Sequence, residues 1–238
     1  MFGWRARIGY LCPSVFEMIA YDFYRIVPPG VGMIGVTCMI DGWSDDAYRS
    51  GLERIDECAQ ELGRRKCDFI IHAGVPLVAT RGAGYEREVI ERIERVARVP
   101  ATTSIAAGMA ALKAMSVRRV GLINPYPDEL NAKVASFLTA NGFEVAAVIG
   151  LGADFTRIGD VSEAQVYAAA REAVHRAPQL DGLYLPCPQF PALDVLDAIE
   201  TDLGIPAVGH LTSELWQAFR KLGINEPIRG FGKLLAAA

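Results

Sequence analysis

An internal repeat runs through this chain of 238 residues. Arg7-Ile8-Gly9 leads to Pro13 much as Arg119-Val120-Gly121 leads to Pro125. "CDFIIHAGVP" from Cys67 matches "LDGLYLPCPQ" from Leu180, which aligns Asp68 with Asp181 and Gly74 with Cys187. Further on, "VPA" from Val99 matches "IPA" from Ile205. A repeat of this length restricts the chain to two similar units, each of which must bury its own apolar strands.

Within each unit, runs rich in Val, Ile and Leu alternate with helix-length segments of period near 3.6, the pattern of a parallel sheet with crossover helices. The expected strands are "RARIGYLC", "GVGMIGVTC", "CDFIIHA", "VPAT", "RRVGLIN", "FEVAAVIG", "DGLYLP" and "IPAV". Helices are expected between them, including one over "DDAYRSGLERIDECAQELGRR" and one over "GYEREVIERIERVAR". The fold class is therefore α/β, with two pseudo-symmetric Rossmann-like (flavodoxin-like) lobes, each built on a four-stranded parallel sheet. The first lobe is assigned to residues 1–115 and the second to 116–208, with a C-terminal helix in 209–238 returning to the first. Ligands of open parallel sheets bind beyond the carboxyl ends of the strands, so the active site is expected in the cleft between the lobes.

Composition narrows the function classes. A formal net charge of -4, with Lys and Arg scattered among Asp and Glu, supplies no footprint for nucleic acid. No apolar run reaches the roughly 18 residues of a membrane span, and the opening "MFGWRARIGYLCPS" lacks the apolar core of a signal peptide, so a cytoplasmic location is expected. Five cysteines, Cys12, Cys38, Cys58, Cys67 and Cys187, show neither CxxC nor zinc-ligand spacing, and their odd number fits reduced thiols, most of them small buried hydrophobes. His72, His175 and His210 form no HxH or HExxH cluster, so no metal is expected.

The carboxyl ends of the strands carry the candidate site residues. Pro13 with Ser14, Gly74 with Val75, Asn124 with Pro125 and Tyr126, and Cys187 with Pro188 and Gln189 all fall there. "GVGMIG", from Gly30 to Gly35, formally fits GxGxxG but leads into a strand, so it fails as a dinucleotide fingerprint. "RGAGYERE" reads as a flexible loop over the cleft, with Gly82 and Gly84 permitting unusual backbone angles. The charges of "YEREVIERIERVAR" read as a solvated helix face. His72, two residues before Gly74, is either a core histidine or a second proton donor; His210 reads as a cap or packing residue at the start of the last helix.

The segments "NPYPDELNAKVASFLTANGFEV", "VPATTSIAAGMAALKAMSVRRVGLI" and "PCPQFPALDVLDAIETDLGIPAV" resemble the aspartate/glutamate racemase superfamily, in the branch containing arylmalonate decarboxylases and maleate cis-trans isomerases. The resemblance extends over nearly the whole chain. It implies chemistry without a cofactor on a small-molecule carboxylate. Racemases and isomerases of this superfamily place one cysteine in each lobe, on opposite sides of the substrate. Here the first position is Gly74 and the second is Cys187, the pairing of arylmalonate decarboxylases, so the resemblance implies decarboxylation of a substituted malonate with Cys187 as the single proton donor. The alternatives it leaves are isomerisation or racemisation of a small dicarboxylate and non-catalytic carboxylate binding; a homo-oligomer is also compatible.

The same resemblance makes Tyr126 a carboxylate-binding phenol. Ser14 and the backbone amides of Val75 and Cys187 are further candidates for holding an oxyanion. A helix starting after Cys187 is expected to lower its thiol pKa and a bound anion to raise it again. The chain departs from the decarboxylase pattern at "GVP" and "CPQ", because Pro76 and Pro188 have no N–H to offer where that pattern has hydroxyl residues and glycine. It also lacks the asparagine of an isomerase-like "PSxN", since Val15 and Phe16 follow Ser14.

Overall fold

The computed structural model describes residues 1–237. In the first half lie β1 (Ala6–Cys12), α1 (Glu17–Ile26), β2 (Val31–Thr37), α2 (Asp45–Glu53), α3 (Ile55–Arg64), β3 (Phe69–His72), α4 (Val75–Ala79), α5 (Tyr85–Ala97), β4 (Ala101–Thr103) and α6 (Ser104–Ala114). The second half contains β5 (Arg119–Asn124), α7 (Asp128–Ala140), β6 (Glu144–Gly150), α8 (Glu163–Arg176), β7 (Gly182–Leu185), α9 (Leu196–Leu203), β8 (Ala207–Gly209), α10 (His210–Leu222) and α11 (Lys233–Ala236). Two four-stranded sheets result, ordered β2-β1-β3-β4 and β6-β5-β7-β8, with every pairing parallel. The identical order is the structural form of the repeat.

The central strands β3 and β7 are buried along their whole length, as continuous apolar runs are when helices cover both faces of a sheet. Edge strands β2 and β6 keep half-exposed positions. The aligned aspartates do the same work in each lobe. Asp68 accepts from the Arg7 amide at 2.8 Å, and Asp181 accepts from the Arg118 and Arg119 amides at 3.0 and 2.7 Å, pinning the start of each first strand. Strands β4 and β8 begin later than "VPAT" and "IPAV" suggest. Pro100 and Pro206 accept ladder hydrogen bonds from Ile70 and Leu183 but have no N–H to return.

The single helix expected over residues 45–65 is two helices, broken at Arg54. Arg92, from α5, donates to the Leu52 carbonyl at 2.9 Å and to Asp56 at 2.5 Å, occupying groups at the break. The charges of α5 are thus not simply a solvated face. Glu86 is buried and accepts from the Gly84 amide at 2.9 Å, and Glu94 accepts from the Ala101 amide at 3.0 Å.

Two helices pass between the lobes. Helix α6 follows β4 but packs on β7 and β8, and α10 follows β8 but packs on β3 and α1, so the two lie side by side. The small, nearly all-apolar face of "SIAAGMAALKA" permits this approach. A Cβ at Gly108 would stand 1.9 Å from the Tyr184 hydroxyl, so only glycine fits there. The C-terminal segment is two helices instead of the expected one, and it holds both lobes: Glu226 pairs with Arg5, while the Gly232 and Lys233 amides donate to Asp197 and Glu200, each at 2.7 Å.

Candidate active site

The carboxyl ends of both sheets meet around a cavity of about 330 Å³. Segments following six strands line it, three from each sheet: Pro13, Ser14 and Val15 after β1, Met39, Ile40, Asp41 and Trp43 after β2, Gly74, Pro76 and Leu77 after β3, Tyr126 after β5, Phe155, Thr156 and Ile158 after β6, and Cys187, Pro188 and Gln189 after β7. Of the residues singled out in the sequence, Pro13, Ser14, Gly74, Tyr126, Cys187, Pro188 and Gln189 share this cavity. Val75 does not line it; as the first residue of α4 it is fully buried behind Gly74. Gly74 takes φ +106°, which turns the chain from β3 into α4 and favours glycine.

Cys187 is buried, and loss of solvation pushes its thiol up to about 12. The Tyr126 hydroxyl and the amides of Gln189 and Phe190 oppose that rise. The expected helix start is not the cause: Cys187–Phe190 is a tight turn closed by Phe190 N–H on the Cys187 carbonyl at 3.2 Å, and α9 begins only at Leu196. Pro188 supplies no amide, so the turn offers the next two. Burial also raises the Tyr126 phenol well above its ordinary value, keeping it a neutral donor.

Gln189 joins the lobes. Its Oε1 accepts from the Met18 amide at 3.1 Å, and its Nε2 donates to the Val15 carbonyl at 3.2 Å and to Glu17 at 3.4 Å. Helix α1 has no side-chain cap from its own N-cap residue, Phe16, so a residue of the second lobe serves one of its free N–H groups.

The apolar wall was not legible as site residues. Trp43 meets Tyr126 edge to face at 5.3 Å and Phe155 at 4.7 Å, an aromatic bridge between lobes, with Ile40, Leu77 and Ile158 beside it. These side chains come from loops after β2, β3 and β6. The repeat contained a usable signal, because β2 and β6 occupy equivalent edge positions and their following loops flank the cavity from both sides. Two carboxylates, Glu17 and Asp41, also line the cavity; among the described residues no Lys, Arg or His does.

His72 does not reach the cavity. It ends β3 in the core, and burial lowers its imidazole to about 4. This places it apart from the position expected of a second proton donor. His210 is the first residue of α10 and packs inside, lowered by burial to about 3; the N-cap is Gly209. The "RGAGYERE" loop, expected over the cleft, instead borders a separate groove against α7, where Gly82 and Ala83 lie near Glu129 and Lys133. Among the described residues no helix is long and apolar enough to cross a membrane, and no three His, Cys, Asp or Glu side chains converge as a metal site.

Comparison with known proteins agrees with this geometry. The family model for arylmalonate decarboxylase matches residues 24–235. The arylmalonate decarboxylase of Bordetella bronchiseptica is 26% identical over 235 residues, 95% of each chain. The maleate isomerase of Nocardia farcinica is 29% identical over 187 residues, covering 76% of this chain and 74% of its own. In three dimensions, an unliganded arylmalonate decarboxylase superposes with a TM-score of 0.87 at 26% identity, over 98% of this chain and all of the other. A Nocardia farcinica maleate cis-trans isomerase bound to Tris gives the same TM-score and identity over 98% of both chains. Two matching parallel sheets, the strand-end cavity and the family match from Tyr24 onward lead to one conclusion: this chain belongs to the arylmalonate decarboxylase family.

Proposed function

We propose that the protein is a cofactor-independent decarboxylase of a small substituted malonate, with Cys187 as the proton donor. The observation that carries this reading is the single thiol in the cavity, held protonated by burial, with glycine at the matching position of the other lobe. A group that stays protonated is suited to deliver a proton to carbon. A wall of Trp43, Phe155, Ile40 and Leu77 accepts the apolar substituent of the substrate.

Loss of carbon dioxide from one carboxylate breaks its carbon–carbon bond and leaves an enediolate on the other. The Cys187 proton passes to the substrate carbon, and the thiolate left behind is met by the Tyr126 hydroxyl and the Gln189 and Phe190 amides before water reprotonates it. With no cationic side chain in the lining, the retained carboxylate is held by neutral donors, Tyr126 and Ser14 foremost. The apolar wall formed by Trp43, Phe155, Ile40 and Leu77 also favours departure of the other carboxylate as neutral carbon dioxide. Isomerisation of a dicarboxylate, the activity named for the Nocardia farcinica relative, is the second reading; it draws on that relative's higher identity but lacks a second thiol in the cavity.

The test is incubation with α-aryl and α-alkyl malonates and with maleate, following carbon dioxide and product. Release of one carbon dioxide per substituted malonate, abolished in a folded Cys187→Ala protein, is the expected result. Conversion of maleate without carbon dioxide release would overturn decarboxylation in favour of isomerisation. Stabilisation by malonates with no product at all would reduce the site to carboxylate binding.

A further inference from the structure

We propose that Cys38 and Cys58 form a dithiol oxidation site, in which a hydroperoxide converts the two thiols to a disulfide and ties the cavity loop to α3. This inference is independent of the reaction assigned to Cys187. The two sulfurs lie 3.9 Å apart, one directly after β2 and the other on α3. A disulfide requires about 2.05 Å, so the gap must close by about 2 Å, within reach of side-chain rotation and a small shift.

The surroundings assign separate roles to the two thiols. Cys58 keeps 7% of its surface exposed against 1% for Cys38, so an oxidant meets Cys58 first. Cys38 donates to Cys58, and the Arg54 guanidinium stands close enough to favour the thiolate; both hold Cys58 below its ordinary value while Cys38 is raised. Cys12, Cys67 and Cys187 are all raised by burial, which keeps them as thiols and withholds the thiolate that would attack a peroxide.

The chemistry balances without a cofactor. The Cys58 thiolate attacks one oxygen of the peroxide, the O–O bond breaks, and an alkoxide or hydroxide leaves to take a proton, giving Cys58 sulfenic acid. Cys38 then loses its proton and attacks the Cys58 sulfur. The S–O bond breaks and water departs, so two thiols lose two electrons and the peroxide becomes an alcohol or water plus water. The site matters because Cys38 is joined directly to Met39, held at φ +58°, and through it to Ile40, Asp41 and Trp43 on the cavity wall.

The test treats the full-length protein with hydrogen peroxide or tert-butyl hydroperoxide under conditions that leave its circular dichroism unchanged, then maps cysteine peptides without reduction. A Cys38–Cys58 disulfide reversed by dithiothreitol, with the other three thiols still alkylatable, is expected. In Cys38→Ser the first oxidation product has no partner, so Cys58 should accumulate as a sulfenic acid captured by dimedone; in Cys58→Ser, Cys38 should stay reduced. Absence of the linkage in the wild-type protein, or equal oxidation of all five cysteines, would overturn the proposal. So would dimedone capture on Cys38 instead of Cys58.

Discussion

Replacing Glu214 by glutamine should remove a pH-dependent loss of stability. Glu214, on α10, is completely buried between the lobes, where it accepts from the Ser104 hydroxyl at 2.5 Å and the Tyr10 hydroxyl at 3.1 Å. Burial outweighs these two hydrogen bonds and pushes its carboxyl from 4.5 to about 7. The titratable groups facing it, Tyr10, Cys12 and Tyr184, are all raised by burial and stay neutral over the same range.

Because the folded value lies above the unfolded one, the folded protein binds the extra proton between about pH 4.5 and pH 7. The stability this proton supplies is complete below pH 4.5 and is lost as pH rises through 7. A difference of about 2.5 pH units, at about 1.4 kcal/mol for each, makes the loss about 3 kcal/mol. Glutamine reproduces the protonated acid, accepting from one hydroxyl and donating to the other, and cannot ionise. Urea unfolding of both proteins from pH 4.5 to 8 should therefore show Glu214→Gln gaining about 3 kcal/mol on the wild type across the series. For a chain of this size that is about 6–12 °C in Tm at the alkaline end. A free-energy difference that stays constant over this pH range would refute the argument.

Three further outcomes are expected. If the Cys187 thiol is the proton donor, kcat/KM should show no alkaline decline with a midpoint near that of an ordinary thiol, about 8.5, because burial holds this one up to about 12; a Cys187-dependent limb near 8.5 would contradict the assignment. Gly74→Ala should cost about 1–3 kcal/mol in denaturant unfolding, since φ is +106° and the added Cβ would lie 2.9 Å from the Pro13 ring. The same penalty falls on Gly74→Cys, so any racemisation it confers should be scored per folded molecule. Gln189→Ala should lose about 1–2 kcal/mol by stranding the Met18 amide and the Val15 carbonyl, and a measured loss below about 0.3 kcal/mol would show that water replaces the clasp.

What the sequence by itself determined is the part of the molecule set by short-range pattern. Continuous apolar runs such as "FIIH" and "GLYL" must be covered on both faces, and their repetition called for two four-stranded parallel sheets, whose common strand order the structure supplied. The alignment of Asp68 with Asp181 and Gly74 with Cys187 carried into equivalent positions because each aspartate stands one residue before its strand, and Gly74 and Cys187 each two residues after it. The tertiary structure decided whatever depends on partners far away in the chain. The break at Arg54 is held by Arg92, and the end of α1 is served by Gln189 from the other lobe. Trp43 and Phe155 become a cavity wall only when two edge-strand loops meet, although neither segment has a distinctive local pattern. That Cys187 stands at a strand end facing the cavity was legible, but its protonation state was not: desolvation by burial, not a following helix, sets it. A local pattern records which residues want to be buried, whereas the cost of burying a thiol or carboxyl depends on what finally surrounds it.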